Sequence, residues 1–147
     1  MAGEKQAAAE GILERIWREE LSDLDLLLHR TGDVQFWADV MRYELDLEAL
    51  MTKGLLRSDA TLISLRDFNV HSMSPFHYAG LRGAERVIRR GLQVGLNVEV
   101  GLRNGTSVLH LASFAGQMET VELLVDEFKA NVNREDGSVM ESAFDSE

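Results

Sequence analysis

The sequence predicts an all-α fold, a solenoid of stacked helix-turn-helix repeats with short β-hairpin-like fingers between them. Three observations predict it. The stretch Ser74-Pro75-Phe76-His77-Tyr78-Ala79, followed by Gly83, returns as Ser107-Val108-Leu109-His110-Leu111-Ala112, followed by Gly116, so that both the histidines and the glycines are 33 residues apart. A fixed period of this size marks units that cannot bury their apolar face alone and must stack. Only one proline occurs in 147 residues, and Leu, Ala, Glu and Arg are abundant, which favours helix. Outside the repeated motif, apolar residues recur at helical spacing.

Taken in order, Lys5 to Glu20 carries Ile12, Leu13, Ile16, Trp17 and Leu21 as one buried stripe. Ser22 is an N-cap for a second helix to about Arg30, with Gly32 at its end. Asp33 to Glu44 places Val34, Trp37, Val40 and Met41 on one side, and Asp46 to Lys53 ends at Gly54, a suitable C-terminal cap. Ser58 to Asn69, with Leu62, Ile63, Leu65 and Phe68, reads as a long loop that covers the stack.

In the two clear units, Ser74 and Ser107 cap a first helix, and Pro75 has its φ pre-set for the first turn. Val108 replaces that proline, so the second copy is expected to start less rigidly. Asn104-Gly105 is a tight-hairpin dipeptide. Leu109, Leu111, Ala112, Val121, Leu123, Leu124 and Val125 are the expected shared interior, and small Ala79 and Ala112 permit close helix approach.

Each motif extends further. Val87-Ile88-Arg89-Arg90-Gly91-Leu92 leads to Gly95-Leu96-Asn97-Val98-Glu99, and Thr120-Val121-Glu122-Leu123-Leu124-Val125 leads to Ala130-Asn131-Val132-Asn133. Together these resemble the ankyrin repeat, whose pattern runs T-P-L-H-x-A-A, then G-H, V-V-x-L-L-L and G-A-D-V-N. The resemblance spans about residues 68–137, and its first copy departs at Arg90 and at Gly91, where the pattern has a core leucine. The implied organisation is one domain over 1–147: an N-terminal helical cap or degenerate repeats in 1–67, repeats at 68–103 and 104–136, and an incomplete repeat or acidic tail at 137–147. Leu26-Leu27-Leu28-His29-Arg30-Thr31-Gly32-Asp33-Val34 is similar to a repeat ending, which would make Phe36 to Leu65 a degenerate repeat with a lengthened loop; a helical segment packed on the stack is the other reading. The short end after Asp136 fits either a helical cap or a chain that continues beyond Glu147, as a regulatory or targeting fragment would. A cut there would leave an apolar end open to self-association.

Composition bounds the function. With 45% hydrophobic residues the chain can build one core. No stretch is long and apolar enough for a membrane span, and no secretory signal precedes the first helix. The absence of cysteine excludes disulfides and thiolate metal sites and fits a cytoplasmic chain, with the nucleus as the other compartment. Net charge is −10, divided as −6 in residues 1–67, +3 in 68–103 and −7 in 104–147. That sign opposes nucleic-acid or acidic-membrane binding. The exception is the Arg82, Arg86, Arg89, Arg90 cluster, which is either a solvated helix face or a docking spot for an acidic or phosphorylated peptide.

No phosphate loop, nucleophile elbow or local metal motif occurs, and no cofactor is expected. Within the resemblance, His77 and His110 fall on the family's structural histidine, which ties adjacent turns by hydrogen bonds. The family's partner surface, carried over by position, comprises finger residues Val70, His71 and Met73, then Arg103, Asn104 and Thr106. It also takes the first-helix residues Leu81 and Arg82, then Phe114 and Ala115. Leu81 and Phe114 should face solvent as apolar anchors for another protein, unless the 55–69 loop covers them. A non-catalytic adaptor is the function this implies.

Overall fold

The structure, a computed structural model, describes residues 2–22 and 33–132. It is mostly helical. Helix α1 (Ala2–Arg18) ends where Glu19 turns left-handed at φ 59°. Helix α2 (Val34–Met41) starts from Asp33, whose side chain accepts the Phe36 N–H. Strand β1 (Leu45–Asp46) runs into α3 (Leu47–Thr52), capped by Asp46 through the Ala49 N–H, and Gly54 follows at φ 76°. Helix α4 (Ala60–Asp67) is capped by Asp59 through the Leu62 N–H. Strand β2 (Ser72–Met73) leads to α5 (Pro75–Arg82) and α6 (Glu85–Gln93), then α7 (Val108–Phe114) and α8 (Met118–Glu122), which continues as a π-helical turn over Leu123–Glu127. The expected helix after Ser22 and the expected repeat end at 137–147 lie outside the described residues.

Each helix pair turns at a glycine of the motif: Gly83 and Gly116 both have φ 73°, a conformation that side chains with a Cβ adopt only under strain. The pairs α5–α6 and α7–α8 pack side by side, with α5 along α7. Gly80 makes this approach possible, because a Cβ there would stand 2.4 Å from Val108 Cγ2 and 2.9 Å from the Val108 carbonyl oxygen. Ala79 and Ala112, expected to permit close approach, are both fully buried on these helices, and Gly80 is the further small residue that expectation left out. On the other side, α1 packs on α5, and α2 packs on α1, α5 and α6.

Leu109, Leu111, Ala112 and Leu124 are buried as expected, but Val121, Leu123 and Val125 are only half-buried. The π-helical turn widens the helix there, and Leu124 and Thr120 are the residues it turns inward. Gly91 also has a physical reason. A Cβ at Gly91 would fall 2.6 Å from the Phe76 ring. Phe76 and Gly91 stand where the second copy has Leu109 and Leu124, so a larger ring in one helix is matched by an empty position in the other.

Two strands were not foreseen. Leu45 pairs with Met73 and Asp46 with Ser72, antiparallel, which fastens the start of α3 to the approach to α5. The second finger is the expected hairpin: Gly101 bridges Ser107, Leu102 N–H bonds Thr106 O at 2.9 Å, and Gly105 N–H bonds Leu102 O at 2.8 Å.

Candidate interaction surface

The motif histidines are structural. His77 and His110 are 1% and 0% exposed. His77 Nε2 lies 2.9 Å from the Val100 carbonyl, which can only accept, so Nε2 carries the proton and Nδ1 accepts from Ser74 Oγ at 2.6 Å. That bond ties the first helix to the following finger. His110 Nδ1 accepts the Ser107 N–H at 2.8 Å while Ser107 Oγ accepts the His110 N–H at 3.3 Å, a reciprocal capping box. The start of the second copy is therefore capped reciprocally without proline.

Further side-chain contacts couple one helix pair or finger to another. Gln117 Nε2 donates to Leu81 O at 3.2 Å, and Asn104 Nδ2 donates to Asn69 O at 3.1 Å. The Asn131 N–H reaches Glu99 Oε2 at 2.6 Å. Arg89 forms a forked pair with Glu127 at 2.8 and 2.9 Å, and its guanidinium also lies over the Phe128 ring.

The arginine cluster is dispersed into these internal contacts. Arg82 donates to Tyr78 Oη at 2.9 Å and pairs with Asp59; Arg86 donates to Leu21 O at 3.4 Å; Arg90 donates to Gln93 Oε1 at 2.6 Å. Each of the four arginines thus has a contact within the chain, which is the arrangement of a solvated helix face paired with its neighbours. Around Arg82 the charges are fixed. Burial pulls the Asp59 carboxyl upward, but the Leu62 N–H and the Arg82 guanidinium outweigh it and hold Asp59 below the usual carboxylate range. Burial pushes the Tyr78 phenol above its ordinary value.

The ten residues expected to form a partner surface separate into two groups. His71, Arg103 and Asn104 are exposed on the fingers. Arg82, Phe114 and Ala115 are half-buried. Val70, Met73, Leu81 and Thr106 are buried, so their expected accessibility is corrected. Val70 and Met73 enter the core where β2 meets β1, and Thr106 lies inside the hairpin beside the Ser107 cap. Leu81 is 1% exposed because α5 is enclosed by α1, α2 and α7. Phe114 is covered by the segment suspected of it: its ring meets Phe68 edge-on, with centroids 5.2 Å apart. Position within the repeat indicates which residues lie on the first helices, but the insertion before the first repeat decides which of them water reaches.

A cleft of about 470 Å³ opens between the end of α1 and the α5–α6 turn, lined by Trp17, Leu21, Arg57, Asp59 and Arg82 among others. Arg57 lies over the Trp17 ring at 5.7 Å. Sequence spacing gave no signal for it, since its walls come from three distant segments. Among the described residues, no group of three or more His, Asp or Glu side chains could hold a metal ion, and no helix is long and apolar enough to cross a membrane.

No curated protein and no solved structure matches the chain. The ankyrin repeat family matches residues 104–137, which takes in the Asn104-Gly105 finger, the capping box of α7, and α8 with its π-helical extension. The match falls on the second of the two copies read in the sequence and leaves the rest of the chain unmatched.

Proposed function

We propose that the protein is a non-catalytic protein-binding module, an adaptor that engages another protein through its fingers and the accessible edge of its first helices. The observation that carries this reading is the ankyrin-repeat match at 104–137 beside a finger ridge whose tips, His71, Arg103 and Asn104, are exposed and held in register by the Asn104–Asn69 hydrogen bond. Ankyrin repeats in general are protein-interaction modules. The helix pairs α5–α6 and α7–α8 serve as two units of a short solenoid, with α1 and α2 as the N-terminal cap; their mutual packing supports this. The engagement of His77 and His110 in capping and finger bonds supports a scaffold role for the motif. Soluble placement in the cytoplasm or nucleus is part of the same proposal.

The test uses the two exposed tips, because Leu81→Glu would bury a charge and report only unfolding. The double variant His71→Glu, Arg103→Glu, compared with the native chain, should weaken binding to partners recovered from the source cells at least tenfold with an unchanged helical circular dichroism spectrum. Equal binding by the variant rejects this face. Self-association at the far repeat is a second part of the proposal, favoured by Met118 at 56% exposure and Val132 at 42%.

A further inference from the structure

The insertion between β1 and β2 returns across the repeats and touches the same positions that a partner would use. Asp59 pairs with Arg82 on α5, Phe68 packs edge-on against Phe114 on α7, and Asn69 O accepts from Asn104 on the second finger. Both ends of the segment are residues with left-handed backbone, Gly54 at φ 76° and Asn69 at φ 64°. Its anchoring differs from that of the repeat helices. Among the described residues the backbones of α5 and α7 run close together, whereas α4 has no neighbouring helix at comparable closeness and turns Leu62 and Leu65 into the core, with Leu56 buried just ahead of it. Its outer side, with Ile63, Arg66 and Asp67, faces water. Few close backbone neighbours and a largely solvated outer side place a segment at the low-stability end of a structure, where local opening precedes global unfolding.

We propose that residues 55–69 are a self-docked strap that lies against the ends of the first helices of both repeats and opens as a unit about Gly54 and Asn69, uncovering Arg82 and Phe114. This rests on the proposed role of that face in binding a protein, and it specifies the regulation: the partner competes with the chain's own strap. The strap contributes one carboxylate and one aromatic ring to the half-buried part of that face, so the competing chain would be a peptide offering an acidic residue and an aromatic one.

Hydrogen exchange tests the opening without any partner. In the native protein the amides of α4 should exchange at least tenfold faster than those of α7. The chain has no cysteine, so Phe68→Cys and Phe114→Cys can be joined cleanly by a short bifunctional thiol reagent. Joining them should slow α4 exchange at least tenfold and leave α7 unchanged, and Asp59→Asn should accelerate α4 alone. Exchange of α4 in step with α7, or indifference of α4 to the cross-link, overturns the strap. The cross-linked protein should also bind recovered partners at least tenfold more weakly; binding equal to the uncross-linked protein overturns the competition. Loss of binding in the His71, Arg103 variant concerns the face itself and leaves the exchange result to decide the strap.

Discussion

At the scale of single residues, the chain is governed by a few reciprocal fits. Phe76 and Gly91 form one: the ring takes the space that a leucine at 91 would need. Gly91→Leu should destabilise the fold by about 1–3 kcal/mol through overpacking. Phe76→Leu alone should cost about 1 kcal/mol through the space it vacates. Combining them should restore the Leu–Leu arrangement of Leu109 and Leu124, so that the double variant is more stable than Gly91→Leu alone, as urea unfolding can measure. Simple additivity would contradict the fit. His110 is a second case, since its removal strands the buried Ser107 N–H; His110→Ala should cost about 1–3 kcal/mol. His71→Ala, at an exposed tip, should stay within about 0.5 kcal/mol in the same assay. The resemblance to the ankyrin pattern implied a structural role for His110, and the capping box shows the bonds it makes. The resemblance could not reveal the role of Gly91, because an apparent departure becomes a fit only when the Phe76 ring is seen against it.

At the scale of elements, caps and turn residues were the legible part. Asp46 and Ser74, Ser107 with its histidine, and the glycines at 83 and 116 end or begin helices close to where propensity puts them. Partner surfaces were not legible, since Leu81 and Met73 are placed by contacts from α1, α2 and β1 that no local pattern encodes. The Asp59 carboxylate is the clearest electrostatic link between elements, joining the start of α4 to Arg82 on α5. Its folded-state pKa lies below the ordinary value of 3.8, so its stabilising contribution is present above that pH and is lost as the pH falls through the depressed value. Asp39 behaves alike, held down chiefly by Lys5 with help from Gln35 and Arg42. Asp59→Asn should therefore lower the urea midpoint at neutral pH and flatten its decline below about pH 4. An acid limb identical to that of the native protein would show that the Asp59 pairing contributes nothing.

At the scale of the molecule, α5 packs along α7, α1 and α2 pack on the other side of α5, and Asn104 joins the second finger to Asn69. The 33-residue period made the packing of α5 on α7 legible, and Leu109, Leu111 and Val87 are buried. The insertion across the face was not announced, because its contacts with Phe114 and Arg82 join residues 46 and 23 positions apart. Exposed Met118 leads to a further expectation: Met118→Glu should reduce any concentration-dependent mass increase in sedimentation velocity, and an unchanged association constant would place that contact elsewhere. The proposed function places protein binding on the finger ridge. Its most direct test is a hydrogen-exchange footprint of the native chain with a partner recovered from the source cells. Protection at residues 69–73 and 101–106, with α1 unaffected, is the predicted result; protection confined to α1 or α2 would contradict it.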